Sequence, residues 1–262
     1  MSQYRLLALG DVVGEEAVMR LRRILPGLKR EYEIDFTVAN GENAAVGNGL
    51  DRASAKALFD SGIDVLTSGN HIFRKPEIQA YIEETPYLLR PANYPKGTPG
   101  KGAVVFDAFG TRVLVMNVLG TVYLDALDCP FRAVEEMLQA HAGQYDLSVL
   151  DIHAEATSEK LAIAHVFDGR ISAIFGTHTH VQTADEIVLS GGTGYITDLG
   201  MCGPADSILG VSKERVITKL RTKMPVRFEN PAGPTQLNGA VFTIDRQSKR
   251  AVKVERLQRI LT

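Results

Sequence analysis

Five times in this sequence a short apolar run stops at residues able to hold a metal ion. Tyr4–Leu9 stops at Gly10-Asp11, and Ile34–Ala39 runs into Asn40-Gly41-Glu42-Asn43. Asp64–Thr67 ends in Ser68-Gly69-Asn70-His71, the run 146–152 reaches Asp151-Ile152-His153, and Ile171–Phe175 meets Gly176-Thr177-His178-Thr179-His180. Runs this short suit buried strands. Helical patterns lie between them. Val18, Leu21, Ile24, Leu25 and Leu28 recur at helical spacing, with Pro26 expected to break or kink the helix. Further helices are predicted over 51–60 with Asp51 as cap, 75–83, 131–141, 158–167 capped by Thr157 and Ser158, and 212–222.

Hairpin signals complete the outline. Ala103–Phe109 and Arg112–Leu119 are joined at Gly110-Thr111, after an irregular loop marked by Pro91, Pro95 and Pro99. Glu186–Leu189 and Gly194–Thr197 flank a turn at 190–193, and Gly239–Asp245 and Ala251–Leu257 flank Arg246–Arg250. Early βα units with later hairpins imply a mixed sheet, or two packed sheets, with helices outside. Pure doubly wound topology fits the hairpins poorly. No repeat or linker divides the chain, so one domain over 1–262 is expected.

Composition narrows the partners. The formal net charge is −2, which gives no electrostatic case for long nucleic acid, though a local basic patch around a small phosphate stays open. Two cysteines, Cys129 and Cys202, without CxxC spacing argue against a disulfide framework or a zinc knuckle. Cys202 is read as a packed thiol. The run Leu6–Leu9 is too short for a signal-peptide core, and no stretch is long enough to span a membrane. A cytoplasmic protein is expected, and a homo-oligomer stays open.

Ligands of α/β sheets bind outside the carboxyl ends of strands. Six histidines occur in the chain, and four (His71, His153, His178, His180) fall at such ends with Asp11, Glu42 and Asn70. Singly, each has a plain alternative: Asp11 a helix cap, Glu42 a loop acid, Asn70-His71 turn chemistry, His153 a satisfied core residue. His178 and His180, two apart after a strand, are expected to point the same way and chelate. His141 and His165 read as helix residues without a catalytic role. A mixed N/O shell without thiolate suits iron, manganese or zinc. It is enough for two ions sharing a carboxylate, which would clamp an in-line displacement at phosphorus and leave His71 as proton donor or transition-state stabiliser.

At these residues the sequence resembles the calcineurin-like metallophosphoesterases, whose pattern is D-x-H, GD-x-x, GNH-[DE], a lone His, then GH-x-H. Val13 stands where the first motif has a His, Glu42 in place of the bridging Asp, Ile72 in place of an acid, and Thr177 before His178. These departures, in the strings GDVVG, NGEN, SGNHIF, DIHAEATSEK, GTHTHVQTADE and ITDLGMCGP, resemble the YmdB-like bacterial branch over nearly the whole chain. The resemblance implies a four-layer α/β/β/α sandwich of two mixed sheets flanked by helices. It also implies a dinuclear centre, iron first with manganese or zinc as alternatives, and phosphodiesterase activity on cyclic nucleotides, 2′,3′-cyclic ones above all. Asp11 and His180 would hold the first metal, with Asn43 joining them to cover for Val13. Glu42 would bridge, Asn70, His153 and His178 would hold the second metal, and His71 would be catalytic.

The expected reaction is attack of a metal-bridged hydroxide on a small-molecule phosphodiester. The alternatives are a phosphomonoesterase at the same site, or a metal-containing regulatory protein that binds without turnover.

Overall fold

Consecutive apolar residues along one strand are satisfied only where both faces are covered. In the computed structural model, which describes residues 3–262, β1 (Gln3–Leu9) shows this directly. Leu6 and Ala8 face a core between two sheets, whereas Leu7 and Leu9 face a core between sheet and helices.

The chain continues through β2 (Asp11–Val12), α1 (Glu15–Glu31), β3 (Phe36–Asn40), α2 (Arg52–Asp60), β4 (Val65–Thr67), a 3₁₀ turn Ile72–Arg74 and α3 (Ile78–Glu84). Then come β5 (Ala103–Ala108), β6 (Thr111–Leu119), α4 (Pro130–Ala140), β7 (Leu147–His153), α5 (Thr157–Val166) and β8 (Ala173–Thr177). The last elements are β9 (Ile187–Val188), β10 (Gly194–Ile196), β11 (Met201–Pro204), α6 (Lys213–Thr222), β12 (Thr235–Asp245) and β13 (Ala251–Leu261).

One sheet runs β2-β11-β12-β1-β3-β4, with β13 on β12, and the other β5-β6-β7-β8-β10-β9. Both are mixed. β1, β3 and β4 are parallel while β12 is antiparallel to β1. β6, β7, β8 and β10 are parallel, with antiparallel hairpins at each end. Tyr4, Phe36 and Phe242 of the first sheet pack against Val115, Val149 and Phe175 of the second. Outside, α1–α3 cover the first sheet and α4 and α5 the second, which makes the four-layer α/β/β/α sandwich. α6 stands apart, with none of its residues buried. No helix among the described residues is long and apolar enough to cross a membrane.

Several expectations shift for physical reasons. α1 runs through Pro26 unbroken. A mid-helix proline costs about 3 kcal/mol, and burial of Val18, Leu21, Leu25 and Leu28, at about 1.5–3 kcal/mol per large side chain, outweighs it. Asp51 caps α2 as expected, accepting from the Ser54 N–H at 2.7 Å. Thr157 and Ser158 do not cap α5; the cap is Ala156, without a side-chain bond. The β5–β6 turn is Phe109-Gly110, both at positive φ (53° and 90°), because Ala108 pairs with Thr111. That is the twist a two-residue hairpin requires.

Candidate metal centre

The strand ends deliver their residues to one rim. β1 passes through Gly10 into β2 with Asp11, the loop after β3 supplies Glu42 and Asn43, and Asn70 and His71 follow β4. His153 is the last residue of β7, and His178 and His180 follow β8. Gly69 makes room for this: a Cβ there would stand 2.1 Å from the His153 ring.

Four atoms crowd one point. Glu42 Oε1, Asn70 Oδ1 and His178 Nδ1 each lie 3.1 Å from His153 Nε2. One ring nitrogen carries at most one proton, so it cannot satisfy three such neighbours by hydrogen bonding. Ligand atoms of Glu42, His153 and His178 lie within 4.8 Å of one another. A second group faces them. Asp11 Oδ1 is 3.7 Å from His180 Nε2, and Asn43 Nδ2 is 3.4 Å from the same nitrogen. Asp11 Oδ1 is buried without a hydrogen-bond partner. Such an orphaned oxygen is costly unless a cation takes it. Glu42 Oε1 joins the groups, lying 3.3 Å from Asn43 Nδ2 and 3.3 Å from His71 Nδ1, while Glu42 Oε2 accepts the His71 N–H at 2.8 Å.

Hydrogen bonds set which nitrogen each ring presents. His180 Nδ1 donates to Leu209 O at 3.1 Å, which leaves Nε2 toward Asp11. His153 Nδ1 meets Thr177 Oγ1 at 2.9 Å, and that hydroxyl donates to Asp151 Oδ1 at 2.8 Å. Thr67 and Asn40 close on the other oxygen of Asp151. Outer partners of this kind orient a ligating ring. His71 Nδ1 donates to Asn43 Oδ1 at 2.7 Å. Asn43 therefore turns its oxygen to His71 and its NH₂ to Glu42 and His180.

Charge follows the same pattern. Burial pushes the Asp11 and Glu42 carboxyls up, but His180 beside Asp11 and His153 beside Glu42 outweigh it, so both stay below the carboxylate range. Burial pulls His153 down, yet Glu42 raises it to about 9. Burial holds His71 and His178 low. The donor set is nitrogen and oxygen only. Cys202 lies nearby but donates to Asn238 O, and burial pushes its thiol up to about 12, so it offers no thiolate. These residues fit a hard or borderline metal ion.

All eight residues singled out in the sequence meet here. His178 and His180 do not point the same way, however. Both adopt positive φ (100° and 63°), so the strand alternation ends at Thr177. His178 faces His153 and Glu155, and His180 faces Asp11. The sequence reading missed Thr177 and Asn40 and gave Asp151 no role, though Asp151 and His153 are two apart on one strand and so share a face.

The sequence model of the family described as "YmdB-like protein" matches residues 7–257. A Bacillus subtilis (strain 168) protein named 2′,3′-cyclic-nucleotide 2′-phosphodiesterase is 48% identical over 253 residues, 97% of this chain and 96% of its own. A crystal structure from Thermus thermophilus, described as a hypothetical protein, superposes with TM-score 0.92 at 38% identity, covering 98% of this chain and 100% of its own. One from Mycoplasma pneumoniae, described as a novel phosphatase, gives TM-score 0.92 at 33% identity over 100% of this chain and 95% of its own.

Proposed function

This chain belongs to the YmdB-like family and is a phosphoric ester hydrolase of the metallophosphoesterase fold, and from that premise we propose that it is a two-metal phosphodiesterase acting on 2′,3′-cyclic nucleotides. One observation carries the reading. Six residues with N or O donor atoms converge from five strand ends, and the buried Asp11 Oδ1 among them has no protein hydrogen-bond partner.

Asn70, His153 and His178 would hold one ion and Asp11 and His180 the other, with Glu42 shared; Asn43, expected as a further ligand, gives its oxygen to His71 and turns only its NH₂, which is no metal donor, to this side. Iron is the first choice for both, manganese or zinc the alternatives. When bound, such ions supply charge stabilisation at phosphorus and a nucleophilic water at neutral pH. The chain's own residues do the rest. Thr177 and Asp151 keep the His153 Nε2 lone pair inward. Asn43 fixes His71 by taking its Nδ1 proton in a hydrogen bond, so His71 Nε2 is the atom left to face the substrate. The negative phosphodiester favours the imidazolium, and Nε2 then gives its proton to the departing ribose oxygen. Cleavage at the 2′ ester leaves the phosphate on the 3′ oxygen.

An intact His71 separates this reading from a binding protein, which needs no proton donor. The cytoplasm suits two free cysteines, one of them exposed. The test is to load the protein with iron or manganese and assay 2′,3′-cyclic AMP, 3′,5′-cyclic AMP and p-nitrophenyl phosphate. Turnover of the first, with about two ions per chain, is expected. Turnover of the monoester alone would make it a phosphomonoesterase, and fewer than two ions would defeat the dinuclear centre.

A further inference from the structure

Lys160, a full charge on α5, is wholly buried. Its Nζ lies 2.7 Å from Asp198 Oδ2, and Asp198 is equally buried. The lysine stem lies over Gly176, where an added Cβ would stand 2.7 Å from Lys160 Cδ. Neither residue belongs to the donor cluster. Such a pair adds little net stability over apolar side chains of the same volume. What it can supply is a fixed direction for the carboxylate.

That direction leads to the cluster. Asp198 Oδ2 also accepts the backbone N–H of Thr179 at 3.1 Å, and Oδ1 accepts that of Gly200 at 2.8 Å. The Asp198 carbonyl accepts the Thr183 N–H at 3.1 Å. Thr179 stands between His178 and His180, the two residues at φ 100° and 63°. Non-glycine residues hold positive φ only where the surroundings over-determine it. Here the anchor on the intervening residue is a carboxylate whose charge is balanced by one buried ammonium.

We infer that Lys160 and Asp198 are a positioning pair that holds the Thr179 backbone, sets His178 toward His153 and His180 toward Asp11, and so tunes metal affinity without touching substrate. The inference rests on the metal-dependent reading above. Lys160→Met removes the charge and keeps most of the stem; Asp198→Asn weakens the acceptor and keeps the volume.

Apo-protein prepared with a chelator is titrated with Mn²⁺ by calorimetry and, separately, filled with Co²⁺ for its visible spectrum. Both variants are expected to bind Mn²⁺ roughly 10–100-fold more weakly, the range for outer partners of metal ligands. Their Co²⁺ bands should shift, while bis-p-nitrophenyl phosphate turnover at saturating Mn²⁺ stays near wild type. A lower melting temperature with wild-type Mn²⁺ affinity and Co²⁺ bands would make the pair a plain stabiliser and overturn the inference. If Lys160→Met does not fold, the double variant K160M/D198N removes both charges together and is read by the same criteria. Wild-type protein that takes up no Mn²⁺ would instead overturn the metal reading, and this inference with it.

Discussion

The two halves of the donor cluster differ in tightness. Around His153 Nε2, three side chains close to 3.1 Å. Around His180 Nε2, Asn43 stands at 3.4 Å and Asp11 at 3.7 Å. The difference has a local cause. His153 ends a central strand and is backed by Thr177 and Asp151 inside the sheet. The other half combines a two-residue strand, the Glu42–Asn43 loop and the left-handed turn at His180, and Val13 stands where the resembling families place an imidazole. One cluster thus combines a tighter half with a looser one, and an ion is expected to exchange more readily from the looser half.

Breaking both halves at once gives the largest effect. Glu42 Oε1 touches His153, His71 and Asn43, so Glu42→Gln withdraws a charge from both sides. Two cations would then repel at short range with less negative charge between them. Elemental analysis should show loss of one or both ions, and the phosphodiesterase rate should fall by at least the roughly 10²–10³-fold that one electrostatic stabiliser is worth. Full metal content at full rate would reduce Glu42 to a loop acid.

His71→Ala tests what lies between the halves. Metal content should hold, while 2′,3′-cyclic AMP turnover drops by roughly 10²–10⁴-fold. The loss should shrink for bis-p-nitrophenyl phosphate, whose leaving group needs little protonation. Equal losses on both substrates would assign His71 to charge stabilisation or positioning. Lost metal would make it a ligand.

Asp11→Asn should sharpen the contrast. It weakens mainly the looser half, since Asp11 touches the tight half only through the His178 backbone N–H, at 3.0 Å, and at 3.9 Å from His153, so one ion should be lost and the other kept. A graded chelator titration followed by elemental analysis should show the wild type losing its ions in two steps, and Asp11→Asn already lacking the first. Simultaneous release in both proteins would mean that the halves are equally tight.

Sequence and structure agree where the chemistry is local and part company where it is not. Apolar runs ending in polar residues located the five strand ends, since a strand covered on both faces needs unbroken apolar sequence. The Asp51 cap was legible for the same reason: cap and helix are neighbours. The opposed directions of His178 and His180 were not, because strand alternation fails once both residues take positive φ. Thr157 is already the first helical residue and Ala156 takes the cap position. In that first turn Glu159 accepts the Thr121 N–H from 38 residues away, a partner that no local pattern announces. Asp198 was likewise invisible as the partner of Lys160. Lys160 itself did carry a signal, since it shares the buried face of α5 with Ile163 and Ala164.

The smallest effect expected is on the pH dependence of stability, and it separates the tight half with metal from the tight half without. In the metal-free protein Glu42 raises His153 to about 9 against the pull of burial. A histidine raised in the folded state stabilises fully below its unfolded value, about 6.5, and that contribution is lost as pH rises through 9. Asp11 and Glu42 are depressed, so their contribution is present above about pH 4.5 and is lost in acid. Asp151 has the opposite sign. Burial raises it to about 6, so its favourable contribution lies at low pH and fades as pH climbs through 6. His71 and His178, held low by burial, work the other way, because charging them costs stability below their unfolded value of about 6.5. Above pH 7 both are largely neutral in either state, so the metal-free protein should lose up to about 1.4 kcal/mol per pH unit between pH 7 and 9. A ligating imidazole has already given up its proton, so the loaded protein escapes that loss. Thermal melts of chelated and Mn²⁺-loaded protein at pH 7, 8 and 9 measure the difference: a falling midpoint for the first, a level one for the second. Parallel slopes would mean that His153 keeps its proton in both states, and the tight half would then be a hydrogen-bonded core that holds no metal.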